Sequence, residues 1–377
     1  MNVVVKTNAF LESLQAMVIS QKLLIPILAN VLLRANIMEG EVGLEPTPTL
    51  TVISTDLDIS VECKIAVDII EEGSITLPFK KLLDIVREMP GEDISIKVNE
   101  DYYTIIASGK SFFYISGLPE DDYPNIPSIT GDKYFSILSS VFKRMIRKVA
   151  FSVAVDDSRQ TLNGGCLSVE GAEVKIIATD GYIFSYAKHI LSSPVNQNMC
   201  VIIPNKTLNE IMKVLKEESI VDVYLKNNQI MLNFDDIVFT ARLLDGSFPD
   251  YKNFLPNITQ DNVLHINRNT LLNTCRRVSI MNTVDVDVFN ICISDNTIEV
   301  TTIAPGMGEA KENITDIDYK GENFSVKYKS KHTINVLKNI DIEEIDMFFV
   351  SELKAGVINI KTKTEEYFYF IVPIIER

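Results

Sequence analysis

The sequence predicts an α+β protein made of three tandem copies of one unit, each with two helices packed on antiparallel strands. Three observations predict it. Thr55, Thr179 and Thr302 are spaced by 124 and 123 residues, two nearly equal periods. Each is followed, after 23, 25 and 26 residues, by a segment with helical apolar spacing that opens at Pro78, Pro204 and Tyr328. Finally, 377 residues exceed what one ordinary hydrophobic core organises, so two or three domains are expected.

Each copy reads in the same order. Apolar residues predict an opening strand at Asn2 to Lys6, Tyr134 to Ser136 and Val263 to Ile266. Helical patterns follow over Asn8 to Ile19, Ile137 to Phe151 and Arg268 to Ile280. Alternating strands come next, as in Asn30 to Arg34 and Thr51 to Ser54. The second helix of each copy carries its apolar stripe on Leu82, Leu83 and Val86; on Leu208, Ile211, Met212 and Leu215; and on Ile334 and Leu337. Strands such as Ile94 to Val98 and Ile220 to Leu225 close the copies. Helices layered on one face of antiparallel strands give the α+β class. Pro, Asn and Asp mark linkers at Asp121 to Gly131 and Pro249 to Asp261, and the stretch Asn36 to Thr49 reads as an enlarged loop. The copies are therefore placed at 1–126, 131–255 and 262–377.

Composition narrows the class. A net charge of −15 argues against a nucleic-acid partner only if the charge is evenly spread, and it is not. In the first helix of the second copy, Phe142, Met145, Ile146 and Val149 form the core stripe, while Arg144, Arg147 and Lys148 fall on another face. Arg276 and Arg277 occupy the matching helix of the third copy. The second helices add Lys80, Lys81 and Arg87; Lys206, Lys213 and Lys216; and Lys331 and Lys338. Acidic residues such as Glu71, Glu72, Asp121, Asp122, Asp156 and Asp157 lie in strands and loops. Any one basic helix face is ordinarily just solvated. Its recurrence through a repeat suits sequence-independent contact with phosphates.

Enzyme chemistry is expected to be absent. The three histidines, His189, His265 and His332, are dispersed, there is no phosphate loop, and no HExxH, GxSxG or SxxK motif stands out. Gly306-Met307-Gly308 supplies two glycines of a dinucleotide fingerprint without the third or the right flanks. Asp56 and Asp58, read as sharing a strand face, lack an acid–base partner and fit a turn or surface role better. Neither a catalytic nor a metal residue is assigned, and no cofactor is expected. Five scattered cysteines without a CxxC pair read as reduced thiols in the cytoplasm. No uninterrupted apolar run reaches about 18 residues, so neither a signal peptide nor a membrane partner is expected.

Three groups of residues carry a family resemblance. They are Ile25 to Leu33 with Thr55-Asp56-Leu57-Asp58 and Leu118 to Asn125; Thr161 to Gly164 with Ala178 to Tyr182 and Leu244 to Tyr251; and the ending Tyr369 to Ile374. In order along the whole chain they resemble the three domains of the bacterial DNA polymerase III beta subunit, the sliding clamp family. The resemblance implies a head-to-tail homodimeric ring of six domains whose helices surround duplex DNA. It also implies a non-catalytic processivity factor, with the polymerase III alpha subunit, a clamp loader and other clamp-motif proteins as partners. An alternative is a general recruitment hub on DNA without a dominant polymerase role, and an enzyme with an unrecognised site is the third reading.

The family's peptide cleft, carried over by position, comprises Leu162, Thr179, Gly181, Tyr182, Ile183, Phe184, Pro249, Asn253, Phe254, Leu353 and Ala355, with Phe370, Ile371, Val372, Pro373 and Ile374. Ile183 and Asn253 stand where relatives often carry arginine, and the chain runs on to Ile375-Glu376-Arg377. The same matching puts Phe113, Ile115, Ile280 and Met281 at the subunit contact and Lys22 and Arg159 in DNA-touching loops. With the helix cations, the expected DNA-facing set is Lys22, Lys80, Arg144, Arg147, Lys148, Arg159, Lys206, Lys213, Arg276, Lys331 and Lys338.

Overall fold

The computed structural model describes every residue except 20–24, 39–46, 127–132, 252–261, 284–285, 295, 316, 351–354 and 376–377. The first copy runs β1 (Asn2–Lys6), α1 (Thr7–Gln15), β2 (Asn30–Met38), β3 (Thr47–Thr55), β4 (Ile59–Ala66), β5 (Asp68–Glu71) and β6 (Gly73–Pro78). It continues through α2 (Phe79–Arg87), β7 (Asp93–Val98), β8 (Tyr103–Ser108) and β9 (Ser111–Ser116). The second copy has β10 (Phe135–Leu138), α3 (Ser139–Val149), β11 (Gly164–Glu170), β12 (Glu173–Thr179), β13 (Ile183–Ile190) and β14 (Met199–Pro204). After these come α4 (Asn205–Val214), β15 (Ile220–Lys226), β16 (Gln229–Phe234) and β17 (Ile237–Arg242). The third copy has β18 (Val263–Asn267), α5 (Arg268–Val278), β19 (Val288–Ser294), β20 (Thr297–Ala304), β21 (Gly308–Ile314) and β22 (Asp318–Lys320). It ends with β23 (Phe324–Lys329), α6 (Ser330–Lys338), β24 (Glu344–Val350), β25 (Ala355–Lys361) and β26 (Glu365–Ile371).

All six α-helices of the described residues begin at the residue after a strand ends. The strand therefore fixes the direction and rotation of each helix, and little capping is needed. Only α5 has a side-chain cap among the α1, α2, α5 and α6 starts, where Asn267 accepts from the Thr270 N–H. The apolar stripes turn inward as their spacing dictates: Leu82, Ile85 and Val86 on α2, and Leu271, Leu272, Cys275 and Val278 on α5 are buried. Burying each large aliphatic side chain is worth roughly 1.5–3 kcal/mol.

The chain forms two compact units. One comprises Met1–Ser140 with Asn209–Leu243. The other comprises Val141–Leu208 with Leu244–Arg377. In the first, a five-stranded sheet has the order β5-β1-β7-β8-β9 and an eight-stranded sheet the order β10-β15-β16-β17-β4-β3-β2-β6. Helices α1 and α2 pack on each other. In the eight-stranded sheet β17 pairs antiparallel with β4, so strands of two copies share one ladder. The second unit holds a nine-stranded sheet, β14-β11-β12-β13-β26-β25-β24-β18-β22, and a four-stranded sheet, β21-β20-β19-β23. Here α5 packs on α6, and β13 pairs with β26, again joining two copies through the backbone.

Several expectations need correction. Helix α1 ends at Gln15 rather than Ile19. Ile137 and Leu138 belong to β10, because they pair with Val221 and Ile220 of β15 instead of starting α3. Asn36 to Met38 and Thr47 to Thr49 are paired strand ends, not loop. As a repeat anchor Thr302 is not equivalent to the others: it lies inside β20, where its hydroxyl donates to Val288 O at 2.7 Å, whereas Thr55 and Thr179 end their strands. Gly306 and Met307 form the β20–β21 hairpin turn, the wrong context for a dinucleotide loop.

Candidate functional site

In the second unit the segment from Thr179 to Phe184 is held by its own polar atoms. The Thr179 hydroxyl donates to Ile183 O at 2.7 Å and accepts from the Gly181 N–H at 3.1 Å. Asp180 Oδ1 accepts from the N–H groups of Tyr182 and Ile183 at 2.8 and 2.9 Å. Gly181 takes φ of 90°, a conformation that costs a side-chain-bearing residue about 1–2 kcal/mol. In the first unit Thr55 and Asp56 make the same four bonds to Leu57, Asp58 and Ile59. Asp56 and Asp58 are thus turn residues, the role that fitted them better from sequence, and they do not share a strand face.

The turn presents Tyr182, which is 49% exposed. Lys329 Nζ lies 4.4 Å from the centre of its ring and the His332 ring 5.7 Å away. His332 Nε2 is 3.3 Å from Asp180 Oδ2, yet burial holds the imidazole below its ordinary pKa despite that carboxylate. Below the turn, Ile183 pairs with Ile371 and Phe184 with Phe370, and the Val372 N–H donates to Tyr182 O at 2.8 Å. Phe184 stacks on Tyr251 at 6.0 Å and meets Phe368 edge-on at 6.2 Å. Beside them Ala355 is buried with Val350, Val357 and Phe368, while Phe370 packs part-buried against that cluster. The result is an apolar sheet face with partly exposed aromatics and a cationic and imidazole edge.

The cleft residues expected from sequence divide on this face. Thr179, Gly181, Tyr182, Phe184, Phe370, Val372 and Ile374 retain surface, and Pro249 is exposed. Leu162, Ile183, Ala355, Ile371 and Pro373 are buried, with Ile183 only 1% exposed. Ile183 thus contributes backbone pairing and packing. Asn253, Phe254, Leu353, Glu376 and Arg377 lie outside the described residues. Lys329, His332 and Tyr251 were not assigned to this face from sequence. No periodicity links Lys329 to Tyr182; only the fold does.

The basic residues divide as well. Arg144 donates to both Glu365 oxygens and to the Tyr367 hydroxyl, and the Glu365 carboxylate raises its pKa further. Lys148 is 3% exposed and donates to Asn339 O and to Asp341 Oδ2. Burial pushes its ammonium below the usual range although Asp341 pulls it up. Lys148 has no solvent-facing donor for a phosphate, which corrects its place in the DNA-facing set. Arg147 also pairs with Asp341 at 2.8 Å but stays exposed. Arg159 pairs with Asp157 at 2.9 Å and draws that carboxyl down to about 2. Lys206 and Lys213 are exposed, Lys213 beside Glu210 at 2.8 Å. Lys80, Arg276, Lys331 and Lys338 are exposed with no carboxylate partner among the described residues. Lys22 lies outside the described residues.

Of the expected subunit-contact residues, Phe113 is exposed on β9, the edge strand of the five-stranded sheet, between exposed Phe112 and Tyr114. Ile115 is buried in the same unit. Ile280 is 78% exposed in the turn after α5, with Met281 half-buried beside it. Among the described residues no group of three or more His, Cys, Asp and Glu side chains could hold a metal ion, and no helix is long and apolar enough to cross a membrane.

Comparison with known proteins accounts for this arrangement. Residues 1–127, 136–250 and 252–374 match the N-terminal, central and C-terminal domains of the DNA polymerase III beta subunit. The beta sliding clamp of Halalkalibacterium halodurans is 28% identical over 393 residues, spanning 99% of each chain. That of Staphylococcus aureus is 29% identical over 345 residues, covering 91% of this chain and 90% of its own. The crystal structure of the Bacillus subtilis DNA polymerase sliding clamp superposes with a TM-score of 0.89 at 27% identity over the full length of both chains. The Pseudomonas aeruginosa DNA polymerase III subunit beta gives the same values.

Proposed function

Because this chain belongs to the DNA polymerase III beta subunit family, the sliding clamps, we propose that it works as the replicative processivity factor: a homodimeric ring that encircles duplex DNA and tethers the polymerase. The in-order match of all three domains along the chain carries this reading. Its role is mechanical rather than catalytic. A closed ring need not grip DNA. Weak contacts to phosphates, made without reading bases, let it slide, while topology prevents it from leaving sideways. The tether keeps the polymerase at high effective concentration beside its template.

The domains are placed at 1–126, 131–255 and 262–377. Lys80, Lys206, Lys213, Arg276, Lys331 and Lys338 supply the diffuse cationic contact, with Arg147 and Arg159 contributing what their carboxylate partners leave. Arg144 and Lys148 instead hold α3 to the strands around Glu365 and Asp341. The face around Tyr182, Phe184 and Phe370 receives a short linear peptide with apolar anchors, drawn from the polymerase alpha subunit, the clamp loader and other clamp-motif proteins. A general recruitment hub would use this same face. Phe113, Ile280 and Met281 belong to the homodimer contact, where exposed apolar side chains suit a stable interface. The protein acts in the cytoplasm.

The test is retention on DNA after loading by a clamp loader with ATP. The ring stays on nicked circular DNA and is lost when that DNA is linearised; equal retention on both would sink the proposal. Replacing Lys80, Lys331 and Lys338 together by Gln should flatten the salt dependence of unloaded binding by about 0.9 in log–log slope per phosphate contact removed.

A further inference from the structure

We propose that Cys166 and Cys200 form a reversible oxidation site, at which a peroxide closes a disulfide between β11 and β14. The inference stands apart from the clamp reading. Register pairs Cys166 with Ile202 and Ser168 with Cys200, so the two cysteines are diagonal neighbours on one sheet face. Gly165, on the opposite face, points toward Leu208 of α4, which leaves the cysteine face turned away from that residue. The two Sγ atoms lie 3.0 Å apart. Cys166 is buried and Cys200 exposed, so an oxidant reaches one thiol first and finds the second already beside it.

Diagonal neighbours start near the upper limit of Cα separation that a disulfide spans, about 7 Å, so closure needs one strand to yield. Strand β14 is the outermost of its sheet, and among the described residues its one further backbone bridge is Ile202 with Leu244, so a small slide disturbs no second ladder. The chemistry also distinguishes this pair. The hydrogen bond between the two thiols, in which either sulfur can donate, draws the Cys200 thiol down to about 7 and pushes Cys166 up. Burial instead raises Cys63 and Cys275 to about 11 and about 12, leaving them poor nucleophiles.

The steps balance. The Cys200 thiolate attacks one oxygen of hydrogen peroxide, the O–O bond breaks, and Cys200 sulfenic acid forms with hydroxide, which takes a proton to become water. The Cys166 sulfur then attacks the sulfenic sulfur and loses its proton. The S–O bond breaks, and the departing hydroxide leaves as a second water. Both thiols are oxidised by two electrons in total and the peroxide is reduced. An intracellular thiol pool reverses the bond, so it is transient in a reducing compartment.

Full-length protein is treated with hydrogen peroxide, denatured, alkylated and digested. Alkylatable thiols are expected to fall from five to three per chain, with one linked peptide joining Cys166 to Cys200 and full recovery on addition of a dithiol. C200S, altered at the exposed position, should form no link and keep Cys166 alkylatable. C166S should stop at a Cys200 sulfenic acid that dimedone traps. Cys166 and Cys200 both remaining alkylatable under a dose that oxidises exposed methionine would overturn the proposal. So would a Cys200 link to a second chain in place of Cys166.

Discussion

Leu57 and Gly181 occupy the same place in two turns built from the same four hydrogen bonds, at φ of 80° and 90°. The second turn has the residue that backbone favours. The first holds a leucine in a left-handed conformation, with its side chain more exposed than buried. The Thr-Asp pair therefore dictates the turn, and the third residue follows at a cost.

Leu57→Gly should stabilise the protein by about 0.5–1 kcal/mol, because left-handed strain is relieved and little apolar burial is lost. Gly181→Ala should destabilise it by a similar amount. Urea unfolding checks both, and a loss of stability in Leu57→Gly would show that the side chain packs more than it strains.

The Arg144–Glu365 pair should appear in the acid limb of stability. Burial alone would raise the Glu365 carboxyl, but hydrogen bonds from Arg144 and Tyr367 outweigh it and hold the group below its ordinary 4.5. Below that pH the unfolded chain binds the proton first. The pair's contribution is thus complete above about 4.5 and is lost as pH falls through the lower folded value. Arg144→Gln should cost about 1–2 kcal/mol at neutral pH, since Arg144 is partly exposed, and should flatten this limb. It should also let the His189 imidazole, held low by burial and by Arg144, move upward. Proton-resonance titration of the three histidines reads that shift, and an unmoved His189 would contradict the assigned network.

Tyr182→Ala tests the proposed peptide face without emptying a core. A peptide with apolar anchors should bind about 10-fold more weakly, a change of about 1.4 kcal/mol, while the melting temperature moves little. Fluorescence anisotropy with a labelled peptide provides the measurement. Unchanged affinity in the folded variant would remove Tyr182 from the face.

Much of this was legible in the sequence because it is local. The strand-then-helix order and the stripe of Phe142, Met145, Ile146 and Val149 follow from spacing and from residue chemistry within a few positions. What was not legible depends on distant partners. Helical spacing put Arg144, Arg147 and Lys148 on one polar face, but nothing local says that Glu365 and Asp341 stand opposite. A two-residue period says which side of β13 is apolar, not that β26 is its neighbour. The Cys166–Cys200 pair, 34 residues apart, is visible only once the register of two strands is known.

Backbone ladders, β4 with β17 and β13 with β26, cross the borders between copies. A gene fragment cut neatly at those borders would therefore release a chain with a bare strand edge where each ladder had been. Such edges recruit other chains, so single-copy fragments should precipitate or associate through that edge even with every helix intact. For recombinant work, the indivisible piece is larger than the repeating one.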